Sequence, residues 1–431
     1  MPLTPRRAAL AALHGVAATV VVVGVTAEIV RPLAPALGVL PPASAFFEDA
    51  YLARAAAYRG PVYAVGVAAL LLRVGVVVAA AATPAGKRAT DRIIAKVGPS
   101  RPVRAATAVV TATVIATDLL LLPLLLWVGY VHDGAYGLRT GGLGRWATDW
   151  LATTGPVWLG VAALSAGAYA LARRLPRVWP AVAGIAAAVL TVALTFVAPL
   201  VLEPLQFTTT PLPPGPVRDE VEQVLDRAGR AGATVVVADA GRRTTRQNAY
   251  VSGLGTTRRI VLYDTLVDQR PPAEVGQVLA HELGHARNAD LLRGGLFAAA
   301  GVVALAYLLA AVATVRVRRG RQRAIGDPRA AAVLLAVAVV ANVATAPLQA
   351  AVSRRAEAAA DLAALELTQN PAAFRRLQIG LTESNLSQPQ PPAWVTALWA
   401  THPSALARLA MGEQWPVMNP SETDDGWAGH G

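Results

Sequence analysis

The chain has 431 residues, 54% of them hydrophobic and only 15% charged, with a mean hydropathy of +0.44. Soluble domains carry about 25% charged residues, so this composition excludes an ordinary soluble enzyme or a disordered chain and points to an integral membrane protein. The net charge of +12 lies in short basic runs between apolar stretches, as membrane topology requires, and with no nucleic-acid-binding motif beside it nucleic acid is not an expected partner.

Apolar stretches of about 20 residues can cross a bilayer as helices. The chain has seven, over 8–30, 61–83, 105–130, 154–172, 178–202, 291–315 and 330–351. The first lacks a small-residue cleavage site after a short apolar core, so it reads as an anchor and not a removed signal. Arg73 and Asp118 fall near the middle of the second and third spans. Charges at that depth pair or face water, so the two are expected to meet or to line one chamber.

Five spans make residues 1–202 an N-terminal membrane region. Residues 203–290 are the longest polar segment. After the Pro-rich linker 211–215, a helix is predicted over 216–231, with Val217, Val221, Val224 and Leu225 on one face. Strands follow at 234–238, 249–254 and 259–263, the last two joined through Gly253 and Gly255. A helix opens near Pro272, a tolerated first-turn position. Residues 291–351 form a transmembrane hairpin. Residues 352–412 are polar again and helical to about 386, with a Pro-rich stretch and a short helix after Pro403. Residues 413–431 read as a disordered tail.

His281-Glu-Leu-Gly-His285 lies on the helix that opens at Pro272. Residues four apart share a helix face, so both imidazoles can hold one zinc ion while Glu282 takes a proton from the attacking water. This is a metalloprotease arrangement. The chain has no Cys and only six His, at 14, 132, 281, 285, 402 and 430, so any further ligand is His or a carboxylate. No third His follows closely, which turns the search to another helix. Glu357 and Asp361 are four apart in Ser353–Asp361. Glu357 can bind the metal and Asp361 can accept a hydrogen bond from a ligand imidazole. A solvated charged face, with Arg354 paired to Glu357, fits the same spacing.

The chain resembles the membrane zinc endopeptidases that include the type I CAAX prenyl proteases and the HtpX-like proteases. The resemblance rests on Asn248–Gly253 with Arg259–Leu266, on His281–His285 with Asn288 and Asp290, on Ser353, Arg354, Glu357 and Asp361, and on Thr401–Ser404 with Arg408. It implies an α-helical polytopic membrane protein, about seven transmembrane helices, with a small α+β zincin-like metalloprotease domain. It implies one Zn²⁺ per chain on His281, His285 and Glu357, with Glu282 as general base. It also implies His402 as a stabiliser of the oxyanion, and substrate contacts at Asn248, Ala249, Tyr250, Arg354 and Arg408. Extended substrate would add to the 249–253 strand. A prenylated substrate follows from the resemblance alone.

The expected function is therefore a zinc-dependent integral-membrane endopeptidase acting on peptides or proteins that are membrane-associated or misfolded. The alternatives are a narrow-specificity regulatory or sensor protease, and a transporter with a fortuitous H-E-x-x-H. The partners are the substrate and the lipid bilayer, and the location is a cell membrane with multiple passes. Short loops on one side carry 17 Lys and Arg and those on the other side 5. Basic loops stay in the cytoplasm, which puts the catalytic segment outside, whereas the resemblance implies a cytosolic site.

Overall fold

A computed structural model describes residues 5–31, 39–252 and 259–418. The expected turn at Gly253 and Gly255 and the tail residues 419–431 lie outside the described residues. Among the described residues, seven helices are long and apolar enough to cross a membrane. The membrane helices are α1 (Pro5–Ile29), α2 (Asp49–Ala82), α4 (Pro102–Leu126), α5 (Leu143–Arg174), α6 (Trp179–Gln206), α9 (Asp290–Arg318) and α10 (Ala331–Thr368). The segment between α2 and α4, expected as a basic loop, is itself a helix, α3 (Pro84–Val97). Thr83 caps it by accepting from the Gly86 amide at 3.1 Å. Helix α4 runs on through a π-helical stretch, Trp127–His132, to Ala135.

Several helices outrun the hydropathic windows that revealed them. Helix α2 begins at Asp49, twelve positions before the expected 61. Helix α10 continues unbroken past 351, so the boundary expected between hairpin and third-ligand segment falls inside one helix. Apolarity sets the membrane depth, but backbone hydrogen bonding carries a helix onward until a breaker intervenes. Here that breaker is Gln369, in the left-handed region at φ 51°. Helix α11 (Pro371–Ser384) then restarts with Asn370 accepting from the Ala373 amide. The chain closes with α12 (Ala393–Leu398) and α13 (Ala405–Met418), the latter extending past the expected limit of 412.

The polar segment builds a four-stranded sheet of β1 (Thr209–Pro211), β2 (Thr234–Ala238), β3 (Ala249–Ser252) and β4 (Arg259–Tyr263), in the order β1-β2-β4-β3. The β2–β4 pair is parallel and the other two are antiparallel. Ile260, Val261 and Leu262 are all buried, as an interior strand covered on both faces requires. Helix α7 (Pro216–Arg227) turns Val221, Val224 and Leu225 onto Ile260, Leu262 and the Val275, Leu279 and Leu283 face of α8 (Pro272–Arg287). Gln277 of α8 donates to Thr368 Oγ1 and the Asn370 carbonyl, at 2.7 and 2.9 Å, fixing α8 against the end of α10. In the membrane, Arg73 and Asp118 meet at 3.5 Å, and Trp158 Nε1 donates to the same carboxylate at 2.8 Å.

Candidate metal centre and catalytic site

Helices α8 and α10 cross with almost no side chain between them. A Cβ on Gly284 would lie 2.9 Å from Ala363 Cβ and 3.0 Å from the Ala360 carbonyl oxygen. Small residues permit that approach, and it brings the imidazoles of α8 onto the carboxylates of α10. His281 Nε2 and His285 Nε2 are 3.1 Å apart. Glu357 places Oε2 3.3 Å from His281 Nε2 and Oε1 3.7 Å from His285 Nε2. Tetrahedral bonds of about 2.0–2.1 Å separate donor atoms by about 3.3–3.4 Å, so these three donors can hold a zinc-sized ion. Glu357 Oε2 is buried and accepts no hydrogen bond of good geometry, as suits an atom facing a cation. His281, His285 and Glu357 form the one such three-donor group among the described residues.

Each imidazole is oriented from behind. His281 Nδ1 donates to Asp361 Oδ1 at 2.9 Å, and Arg408 Nε donates to Asp361 Oδ2 at 2.8 Å. His285 Nδ1 donates to Asp290 Oδ2 at 2.7 Å. With Nδ1 protonated, each Nε2 presents a lone pair to the shared site. Asp290 can turn back because Ala289 breaks the α8–α9 junction in the left-handed conformation, φ 52°. Its other oxygen bonds Arg31, just past the end of α1, and Arg31 also pairs with Glu28 at 2.9 Å. The sequence places Asp290 beside the zinc-helix motif without assigning it to His285, and it does not bring the Arg31–Glu28 pair to the site. The signal for Asp290 is its place five residues after the second His; nothing local marks Arg31.

Glu282 lines the same cavity as His285 and Glu357, and its carboxylate makes no hydrogen bond or ion pair with another described residue. Burial pushes its carboxyl above the ordinary carboxylate range, against the pull of His281 and His285. Burial lowers both imidazoles, but their carboxylate partners outweigh it. His281 is raised, and His285 is pushed up to about 10. His402 is half exposed and sits 3.0 Å from Glu357 Oε2.

The two arginines named as substrate contacts bond protein groups instead. Arg354 donates to the carbonyls of Thr396 and Ala400, at 2.6 and 2.9 Å, holding the segment that carries His402. Arg408 is spent on Asp361. Asn248 is exposed, and its carbonyl accepts from the Tyr263 amide at 3.0 Å. Ala249 faces the core. Tyr250 lines the cavity. Strand β3 is an edge strand, paired only with β4 among the described residues.

The cavity, of about 1230 Å³, runs from Glu282, His285 and Glu357 along apolar faces of α1, α9 and α10, past Val25, Phe297, Leu305 and Leu348.

Known proteins match both this site and the whole fold. Residues 211–415 match Peptidase family M48. The "Uncharacterized metalloprotease YhfN" of Bacillus subtilis is 28% identical over 316 residues, covering 70% of this chain and 71% of its own. CAAX prenyl protease 1 of Saccharomyces cerevisiae is 40% identical over 88 residues, which are 20% of this chain and 19% of that protein. In structure, Ste24p of S. mikatae superposes with a TM-score of 0.71 at 17% identity, covering 96% of this chain and 100% of that one. The chain is a multi-pass membrane metalloendopeptidase whose residues 211–415 match peptidase family M48.

Proposed function

We propose that the chain is a zinc-dependent endopeptidase that cuts membrane-associated or misfolded polypeptides. His281, His285 and Glu357 would hold one Zn²⁺, with Asp361 and Asp290 fixing the two imidazoles. When bound, the ion supplies Lewis acidity and makes water nucleophilic near neutral pH. Glu282 takes the proton from the attacking water and delivers it to the leaving amine. Its burial supports the first of these roles, since a carboxyl raised above its usual range is a stronger base toward the attacking water. His402 donates to the carbonyl oxygen as negative charge develops there. Extended substrate lies along the open edge of β3, with Asn248, Ala249 and Tyr250 offering backbone groups.

The observation that carries the substrate class is the continuity of the cavity with the site. One space joins Glu282 and Glu357 to apolar walls, so a polypeptide with an apolar or lipid-modified segment can keep that segment out of water while its backbone reaches Glu282. The names of the CAAX prenyl protease relatives agree with this reading. The test is cleavage by detergent-purified protein of three substrates: a prenylated C-terminal peptide, the same peptide unmodified, and unfolded casein. A kcat/KM at least about tenfold higher for the prenylated peptide supports the lipid-reading cavity. Equal rates on all three would leave a general membrane endopeptidase. Cleavage of none, with metal bound, would favour a protease restricted to one partner.

A further inference from the structure

A second pocket, of about 190 Å³, lies where the π-helical end of α4, the start of α5 and the 240–246 segment meet. It is smaller than the roughly 300–1,000 Å³ clefts that take drug-sized ligands. Four arginines line it, Arg139, Arg145, Arg243 and Arg246, against two carboxylates, Asp133 and Asp149. Both carboxylates are already taken. Asp149 accepts from Arg243 Nε at 3.0 Å, and Asp133 accepts from Arg246 at 3.1 Å and from the Tyr58 hydroxyl at 2.6 Å. Arg139 reaches no carboxylate among the described residues. It donates to the carbonyls of Tyr130 and Gly141 and lies 3.9 Å over the Tyr130 ring. The Arg145 guanidinium has no hydrogen-bond or ion-pair partner among the described residues.

Two positive charges are thus uncompensated. The first turn of the 32-residue helix α5 opens at the same rim, and its N-cap, Gly142, supplies no side-chain acceptor for the free amides. Helix N-termini of this kind favour anions. Trp127, Tyr130, Trp146 and Trp150 lie in the flanking ends of α4 and α5, as in aromatic belts at headgroup level.

The pocket is tied to the substrate edge. Its two loops are bridged between Arg139 and Thr244. The Thr140 amide donates to the Arg243 carbonyl at 3.1 Å, and Thr244 Oγ1 donates to the Leu138 carbonyl at 2.8 Å. From Arg246 the chain passes through Gln247 and Asn248 into β3.

We propose that this pocket binds a phosphate group, carried on an anionic lipid headgroup or free in solution, and so braces the segment that leads into β3. Planar guanidinium groups suit phosphate oxygens. Binding is independent of the function proposed above; only its effect on cleavage rests on that function.

The test measures thermal melting of the full-length protein in detergent. Phosphatidylglycerol is compared with phosphatidylcholine, and inorganic phosphate with chloride at equal ionic strength, for wild type, Arg145→Glu and Arg145→Lys. The expected result is a higher melting temperature for wild type with phosphatidylglycerol. Arg145→Glu should bind about tenfold or more weakly, Arg145→Lys should retain part of the effect, and all three should melt alike without ligand. A rise with inorganic phosphate as well assigns the site to phosphate itself; a rise with the lipid alone assigns it to a headgroup. An equal rise in wild type and Arg145→Glu, or none in either, overturns the proposal. If Arg145→Glu does not fold, Arg145→Ala takes its place with the same criterion. Where cleavage is measurable, occupancy should lower KM and leave kcat unchanged, because the pocket touches no reacting atom.

Discussion

Both imidazoles of the site are held by a carboxylate on the nitrogen turned away from the shared centre, so each ring arrives with its tautomer and orientation fixed. Asp361→Asn and Asp290→Asn should each lower metal affinity about 10–100-fold, read by competition with a calibrated chelator, while leaving the helices in place by circular dichroism. The protonation of these rings also sets a pH dependence. His285 is pushed up to about 10 and His281 is raised in the metal-free protein. A protonated ring cannot ligate, so metal binding must displace protons throughout the neutral range. Apparent metal affinity should therefore climb from about pH 6 through neutrality and level off only near the pH at which His285 loses its proton. An affinity flat above pH 7 would show that neighbouring carboxylates do not hold those protons. The placing of these residues on two helix faces was open to sequence reasoning, because His281 with His285 and Glu357 with Asp361 each keep a four-residue spacing, but that spacing alone fitted a solvated charged face at Glu357 as well as a metal ligand. The partner of His285 was not open to it, since it depends on a left-handed Ala289 between two helices.

At the scale of elements, the site depends on how closely α8 and α10 approach. Gly284→Ala would place a methyl against Ala363 and the Ala360 backbone. Overpacking of this kind costs about 1–3 kcal/mol, and it should also spread the two imidazoles from Glu357. The variant should lose metal at chelator concentrations that wild type resists, and melt earlier. Unchanged metal retention would mean that the helix contact does not set the donor spacing. The end of α1 is tied in as well. Arg31→Ala leaves the buried Glu28 and the largely covered Asp290 without their cation, a change worth up to about 3–5 kcal/mol when a buried pair loses one partner. It should weaken metal binding from a position 259 residues away from Asp290. Such a link between the anchor and the catalytic helix has no local pattern, whereas the helices, the strand at 234–238 and the apolar face of α7 follow directly from periodicity. Helix ends were the least legible feature. The window of hydropathy stops where lipid stops, and α2 and α10 continue beyond it as solvent-facing or packed helix.

For the whole molecule, the membrane connections on the side of the catalytic segment carry few basic residues: Arg31 and Arg139 between helices, and Arg54, Arg59 and Arg145 in the N-terminal parts of α2 and α5. The charge rule predicts that this side faces away from the cytoplasm, whereas the resemblance implies a cytosolic site. The chain contains no Cys, so single cysteines can be introduced without a background. Arg230→Cys, next to the sheet, should react with a membrane-impermeant maleimide in intact cells, and Arg321→Cys, between α9 and α10, should react only after lysis. The reverse pattern would place the site in the cytosol. The central claim concerns the chemistry: three donors hold one zinc ion and Glu282 moves the proton. The most direct test is zinc content and peptide-bond cleavage of purified wild type beside Glu282→Gln and Glu357→Ala. The expected result is about one zinc per chain in wild type and in Glu282→Gln, with cleavage in wild type alone, and loss of both zinc and cleavage in Glu357→Ala. Zinc retained at full occupancy in Glu357→Ala, or undiminished cleavage by Glu282→Gln, would contradict the account.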